Sequence, residues 1–218
     1  SLMPLSIQIG ADLRGIGGPS VAPSPRPSSG FNFSVDTRNF GISGSNEFSL
    51  PLQNGGTYNF DIAWGDGTTS TITGYNQPEI WHTYSVGGIY NIEITGTLIK
   101  WQMFFSNNDS QKILNVSNWG DLNVNGQWGF YGCTNMTCNE DVSGWDVSNI
   151  TNMNSIFKDT SMTTANYDAL LIAWAPQTVN SGVSFGIGST QYTAGGAAAA
   201  ARATLVSKGW TIADGGSV

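Results

Sequence analysis

Two acidic side chains beside Trp64 are the first candidates for chemistry. Asp61 and Asp66 could act as the acid and base of glycoside cleavage, which needs two carboxyl groups about 5 to 10 Å apart. Asp66-Gly67, however, is also a dipeptide that supplies the left-handed conformations of a tight hairpin turn. We therefore predict a turn at Asp66 and an outward-facing Asp61, and we assign no catalytic residue.

The other acidic group and the single histidine fit no reaction either. Glu140, Asp141 and Asp146 lack the spacing of a calcium loop, whose ion takes about six to eight oxygen ligands, so the sequence predicts neither a metal ion nor another cofactor. A Ser-His-Asp hydrolase would have to use His82, and no G-x-S-x-G nucleophile motif accompanies it. We expect that the chain is not an enzyme.

The two cysteines, Cys133 and Cys138, lie five residues apart in YGCTNMTC. Without a second cysteine pair or a nearby histidine, they do not predict a zinc site. A small local disulfide and two packed thiols both remain open. Buried thiols are favoured because Cys133 falls at a position of the repeat described below.

Composition limits the classes of partner. The formal net charge is −7 with a pI near 4.4, and Lys and Arg form no cluster, so we expect no nucleic-acid partner. Only 11% of residues are charged, while Gly, Asn, Ser and Thr are abundant, which is typical of strands and turns. No stretch approaches the roughly 20 apolar residues of a membrane span, and SLMPLSIQIG lacks the features of a signal peptide. These patterns predict a mainly β protein without a membrane span.

Residues 1–30 are predicted to form an extended anchoring arm. The run PSVAPSPRPSSG favours a polyproline-like chain, and the residues before it alternate between apolar and polar types. The apolar side chains of the arm have nothing local to bury them, so they are predicted to bind a partner subunit. These are Leu5, Ile7, Ile9, Leu13 and Ile16. The alternative is an arm that folds back on its own body.

Residues 31–100 show the alternation of strands that bury one face, which predicts a two-sheet sandwich. Three motifs carry a likeness to a known family: WGDG at 64–67, HTY at 82–84 and GIYNIEITG at 88–96. With them the segment resembles the PKD-type immunoglobulin-like β-sandwich. The resemblance implies that these residues are structural and that His82 braces a turn.

A phrase is repeated 26 residues apart, as NVSNW at 115–119 and DVSGW at 141–145. This period is typical of stacked repeats, in which each turn buries its apolar side chains only against the next turn. The alignment places Phe130 opposite Ile156 or Phe157. We predict two stacked turns with Trp119 and Trp145 inside. The later copy should bury Val142, Trp145, Val147, Ile150, Met153, Ile156 and Phe157.

The segment DVSGWDVSNITNMNSIFKDTSM at 141–162 closely resembles the repeat of BspA-like leucine-rich-repeat surface proteins, and 113–138 is a degenerate copy. The resemblance implies a short solenoid over residues 101–163. Residues 164–218 also resemble the C-terminal end of that family and are predicted to form a small α/β cap. A first helix should bury Leu170, Leu171 and Trp174, a second should run from an N-cap at Thr193 to Gly209, and WTIADGG should be a final strand.

Eight tryptophans suggest stacking on sugars, although core residues explain most of them. Trp64, Trp119, Trp145 and Trp210 lie in strand or repeat patterns and are expected to be buried. Trp101 and Trp128 fit no repeat position. They are therefore the predicted exposed, ligand-binding tryptophans.

Three functional hypotheses follow. The first is a non-enzymatic structural protein of a virus particle, in particular a phage head or tail appendage, decoration or fibre protein, displayed on the virion surface in a multi-subunit assembly and anchored by residues 1–30. The second is an extracellular or cell-surface bacterial adhesin, which the BspA-like resemblance implies. The third is a carbohydrate-binding module that uses Trp101 or Trp128 on a host-surface glycan. A host-surface protein is the other ligand to consider.

Overall fold

A computed structural model describes residues 30–103, 108–120, 128–138 and 145–218. The fold is mainly β, as predicted, with 33% of the described residues in strands and 17% in helices. Its strands and helices are β1 Phe31–Asp36, β2 Glu47–Ser49, β3 Leu52–Ala63, β4 Thr69–Ile72, β5 Trp81–Thr83, β6 Ile89–Trp101, β7 Ile113–Asn118, β8 Asn152–Met153, α1 Thr164–Trp174, β9 Ser184–Gly186, α2 Gly196–Ser207 and β10 Thr211–Ala213.

The first sheet is antiparallel and has five strands in the order β4-β3-β6-β1-β7. β3 and β4 form the predicted hairpin, with the Trp64 N–H donating to the Thr68 carbonyl at 3.1 Å. Gly65 and Gly67 have φ angles of +86° and +90°, a region that glycine enters without steric cost. The Asp66-Gly67 turn prediction is therefore confirmed.

A second, two-stranded sheet pairs β2 with β5. The rings of Phe33 on β1 and Phe48 on β2 lie 5.9 Å apart, and both side chains are fully buried. Because the buried side chains of both sheets meet in one interior, the arrangement is consistent with the predicted β-sandwich. The likeness to the PKD type stays a resemblance.

The core runs continuously across the predicted domain boundary at residues 100/101. β7 belongs to the predicted repeat, yet it is the edge strand of the first sheet, where Phe33 pairs with Val116. Phe31 packs edge-on against Trp101 at 5.3 Å and lies 6.4 Å from Phe130 of the repeat. The sandwich and the repeat are therefore joined by a shared strand and a shared core.

The two copies of the repeat stack as predicted. The rings of Trp119 and Trp145 are parallel, 3.9 Å apart at an angle of 3°. Phe130 lies over Phe157, with 6.0 Å between ring centroids. Backbone bonds join residues 26 apart: the N–H groups of residues 128, 130 and 132 donate to the carbonyls of 154, 156 and 158. The residues expected inside the later copy are buried, except Val142, which lies outside the described residues.

The C-terminal segment contains two helices and short parallel strands, and it continues the same stack. β8 pairs in parallel with β9, and β9 with β10. α1 connects β8 to β9, and α2 connects β9 to β10. The backbone N–H of Phe157 also donates to the carbonyl of Gly186. The C-terminal unit therefore adds two further layers to the ladder, with helices as its connections.

The first helix is as expected, and the start of the second is not. α1 buries Tyr167, Leu170, Leu171 and Trp174. The predicted N-cap at Thr193 is wrong, because α2 begins at Gly196 after Gly195, whose φ is +69°. The neighbours of Thr193 are held in an extended segment: the Ala194 N–H donates to the Val218 carbonyl at 2.8 Å, and the bridge from Tyr192 to Ser217 is parallel. The end of the helix before Gly209, with φ +95°, matches the prediction.

Candidate functional site

The one histidine lies in a polar and aromatic cluster beside the β3–β4 hairpin. His82 Nε2 is 2.8 Å from Asp66 Oδ2 and 3.5 Å from Thr68 Oγ1. The imidazole stacks on Trp64, with 4.5 Å between centroids and an angle of 6°, and meets Tyr84 edge-on at 4.5 Å. Tyr84 Oη donates to the Trp64 carbonyl at 3.0 Å. These contacts tie β5 to the hairpin turn.

This cluster does not have the geometry of a catalytic triad. In a triad the carboxylate and the nucleophilic hydroxyl contact opposite nitrogens of the imidazole. Here Asp66 and Thr68 both face Nε2 of His82, and Thr68 Oγ1 donates to Asp66 Oδ1 at 2.6 Å. Asp61 faces outward as predicted and accepts from Thr71 Oγ1. The group braces the turn, which is the role expected for His82.

The Asp66 carboxyl makes this brace sensitive to acid. Burial, the largest contribution, raises its pKa, but hydrogen bonds from Thr68 and His82 outweigh burial and bring the pKa down to about 2. A carboxyl with a lowered folded-state pKa adds stability above its unfolded pKa of about 4 and loses it as the pH falls from there.

We expect Asp66→Asn to lower the free energy of unfolding by about 1 kcal/mol at pH 7, a value reduced for the partial exposure of the site. Most of the deficit should be lost by pH 2, close to the folded pKa, where about half of the parent protein's Asp66 is protonated as well. Urea unfolding at both pH values measures it. Asp61→Asn, on β3 before the turn, is the control, and an equal deficit in both variants would contradict the brace.

The two cysteines are free, buried thiols, as favoured from the sequence. Burial raises the pKa of Cys133, with a smaller contribution from Cys138. Burial also raises the pKa of Cys138 to about 12. Because the thiolate is the reactive form, these cysteines are doubly protected from reagents.

We therefore expect the native protein to leave Ellman's reagent unreacted at pH 8 and to release two thiols per chain once guanidinium unfolds it. The measurement is the absorbance of the released thiolate before and after unfolding. A native protein that reacts within seconds would show that at least one thiol is accessible. If no thiol reacted after unfolding, the two cysteines would be joined in a disulfide.

The structure corrects one ligand-binding prediction and leaves the other as a prediction. The prediction that Trp101 is exposed is wrong, because the residue is 1% exposed. β6 extends to Trp101, which pairs with Leu52 and turns its ring onto Phe31 and Phe33 at 5.3 Å. Trp128 is half-buried, with a φ of +65°. The four tryptophans expected in the interior are all buried: Trp64, Trp119, Trp145 and Trp210.

Several predicted positions lie outside the described residues. They are the arm residues Leu5, Ile7, Ile9, Leu13 and Ile16, together with Glu140 and Asp141. Asp146 accepts a backbone bond from Ser148. The described residues contain no group of three or more His, Cys, Asp or Glu placed to hold a metal ion. Within the same ranges, no helix is long and apolar enough to cross a membrane.

Sequence reasoning missed a buried ionic cluster between β2 and β7. Asp109 and Lys112 are both 0% exposed. Their hydrogen-bond partners lie in residues 43–49, which are 60 to 69 positions away in the chain. The sequence NDSQK reads as an ordinary polar turn, and no local pattern signals such distant partners. The cluster holds the 37–46 loop, which carries Phe40 with 79% of its surface exposed.

Comparison of the chain with protein-family models, with curated proteins and with solved structures gives no match.

Proposed function

We propose that the chain is a non-enzymatic structural protein of an assembly, in particular a phage head or tail appendage displayed on the particle and anchored by residues 1–30. The observation that carries the proposal is the stacking of Trp119 on Trp145. This stacking supports a body built from repeated layers, in which the aromatic residues fill the interior. Such a body suits a protein displayed on a surface. The arm supplies the attachment that such a body needs.

The groups most suited to chemistry have structural contacts in this body. His82, Asp66 and Thr68 meet at one imidazole nitrogen, and the two thiols are buried. Asp109 and Lys112 hold the 37–46 loop from inside. This use of reactive side chains supports a scaffold role.

The point at which residues 1–30 join the body also supports display. The arm leads into β1 at Phe31, and β1 ends at Asp36, where the 37–46 loop begins. A strand of six residues spans about 20 Å. An anchor at one end of β1 would therefore leave the exposed Phe40 at the other end, away from the attachment point.

A bacterial cell-surface adhesin is the second candidate, favoured by the repeat at 141–162, which resembles BspA-like surface proteins. A carbohydrate-binding module that uses Trp128 is the third, because that residue is only half-buried. A glycan array would show sugar binding that Trp128→Ala abolishes. A blank array would remove the third candidate.

Immunogold electron microscopy separates the first two candidates. Antibodies raised against residues 30–218 should decorate phage particles released from the producing culture. A chain without residues 2–29 should keep the melting temperature of the body and lose its place on the particle. Gold on the bacterial envelope and none on particles would favour the adhesin and contradict the virion proposal.

A further inference from the structure

The ammonium of Lys112 is enclosed by oxygen atoms of a single short stretch of chain. Its Nζ lies 2.7 Å from the carbonyl of Gly44, 2.8 Å from that of Glu47 and 3.3 Å from that of Ser43. Ser43 Oγ is a fourth oxygen, at 2.6 Å. The whole residue is 0% exposed. The ammonium has thus exchanged its hydration shell for four protein oxygens.

A buried carboxylate balances this charge. Asp109, also 0% exposed, accepts from Ser43 Oγ at 2.7 Å and from the backbone N–H of Ser49 at 2.7 Å. The N–H of Ser43 donates to the same carboxylate at 3.1 Å. Glu47 and Asp36 are the other acidic groups that act on Lys112. Burial of a charge is costly unless it is compensated and hydrogen-bonded. Here Ser43 Oγ bridges the two charges, accepting from the ammonium and donating to the carboxylate.

The 37–46 loop and this cluster form one unit. A Cβ atom at position 41 would overlap the Asp109 carboxylate, so only glycine lets the loop pass this close. The Asn39 amide donates to the Gln111 carbonyl at 3.3 Å, in the turn that carries Lys112. The position of Phe40 at the surface is therefore set from beneath by the ammonium and the carboxylate.

Converging carbonyl and hydroxyl oxygens are the ligands that proteins use for hard metal cations. We propose that these oxygens form an internal cation site that the chain fills with its own lysine, so that the 37–46 loop keeps one conformation without a metal ion. Lys112 is in this sense a positioning residue for the loop. An emptied site should accept a small cation from solution.

The test is the melting temperature of Lys112→Ala in ammonium chloride and in choline chloride at equal ionic strength. In choline chloride the variant should melt about 10 °C below the parent protein, because four oxygens and Asp109 lose their cation. Ammonium is small enough to enter the cavity and should restore several degrees, whereas choline is too large. The parent protein should melt alike in both salts. Equal melting of the variant in both salts would overturn the proposal.

Lys208→Ala is the matched control. Lys208 Nζ also binds two backbone carbonyls, those of Ala175 at 2.7 Å and Gln177 at 2.6 Å, but the residue is half-exposed. Water can replace its ammonium, so its loss should be small and equal in both salts. An ammonium effect of the same size in Lys208→Ala would reveal a general salt effect and would also overturn the proposal.

A measurement on the parent protein covers the case in which Lys112→Ala does not fold. Reductive methylation followed by peptide mass mapping reports the accessibility of each lysine. Lys112 should remain unmodified in the native protein while Lys100, Lys158 and Lys208 are methylated, because no reagent reaches a fully buried amine. Methylation of Lys112 at the rate of the other three would show that the cage is open and would contradict the proposal.

Discussion

Trp145→Ala is expected to lower the free energy of unfolding by about 3 to 5 kcal/mol. The ring lies flat on Trp119 at 3.9 Å and meets Trp174 edge-on at 5.0 Å, with 1% of its surface exposed. Its removal opens a cavity between two layers of the stack, which the neighbouring layers cannot close without moving the backbone ladder. Urea unfolding followed by circular dichroism measures the change.

Trp145→Phe is the matched control for this substitution. The indole N–H of Trp145 has no hydrogen-bond acceptor among the described residues, so phenylalanine gives up little besides ring area. We expect Trp145→Phe to lower the free energy of unfolding by about 1 kcal/mol. Trp81→Ala, at a site 46% exposed, should cost less than about 1 kcal/mol. If Trp145→Ala cost no more than Trp81→Ala, the stacked interior would be contradicted.

Asp214→Asn is expected to lower the free energy of unfolding by about 2 to 4 kcal/mol at pH 7. The Asp214 carboxylate accepts from Arg202 Nε at 2.7 Å, from Tyr167 Oη at 2.8 Å and from the Gly216 N–H at 3.2 Å. Its side chain is 3% exposed. The substitution removes the charge that pairs with Arg202, and it loosens the last layer of the ladder where α2 meets β10. Urea unfolding measures the change.

The pH dependence of this effect has a definite sign. Burial, the largest contribution, raises the pKa of Asp214, but the bonds from Arg202, Tyr167 and Gly216 lower it overall. Its stabilisation is therefore complete above the unfolded pKa of about 4 and declines as the pH falls through the folded value. The difference between Asp214→Asn and the parent protein should shrink below pH 4.

Asp36→Asn is the control for the Asp214–Arg202 pair. Asp36 also binds an arginine, Arg38, but the Arg38 side chain is 59% exposed. An exposed ion pair contributes less than about 1 kcal/mol, so this variant should stay close to the parent protein. A loss for Asp36→Asn as large as that for Asp214→Asn would show that burial does not set the strength of these pairs.

The features that the sequence predicted well have local or periodic causes. The turn at Asp66-Gly67 needs left-handed backbone, which this dipeptide adopts. The stacking of Trp119 on Trp145 follows from a 26-residue period, because equal spacing places equal side chains in register. Helix α1 buries the apolar residues that recur at helical spacing.

The features that sequence reasoning missed depend on partners far along the chain. The sequence places Trp101 at the surface because it fits no repeat position, but Trp101 belongs to the end of β6, whose pairing with β3 fixes the direction of its ring. Thr193 has the residue type of an N-cap, yet its neighbours pair with the C-terminal segment. The side chains of Lys112 and Asp109 bind partners that lie at least 60 positions earlier in the chain. No local pattern encodes such contacts.

The stacking of the two repeat copies is the claim on which the scaffold role depends, and a nuclear Overhauser experiment tests it most directly. The protein would carry isotope-labelled tryptophan, with the rings of Trp119 and Trp145 assigned from single Trp→Phe variants. We predict strong cross-peaks between the two indole rings, whose centroids are 3.9 Å apart. Two assigned rings without any mutual cross-peak would contradict the stacked body and the function proposed from it.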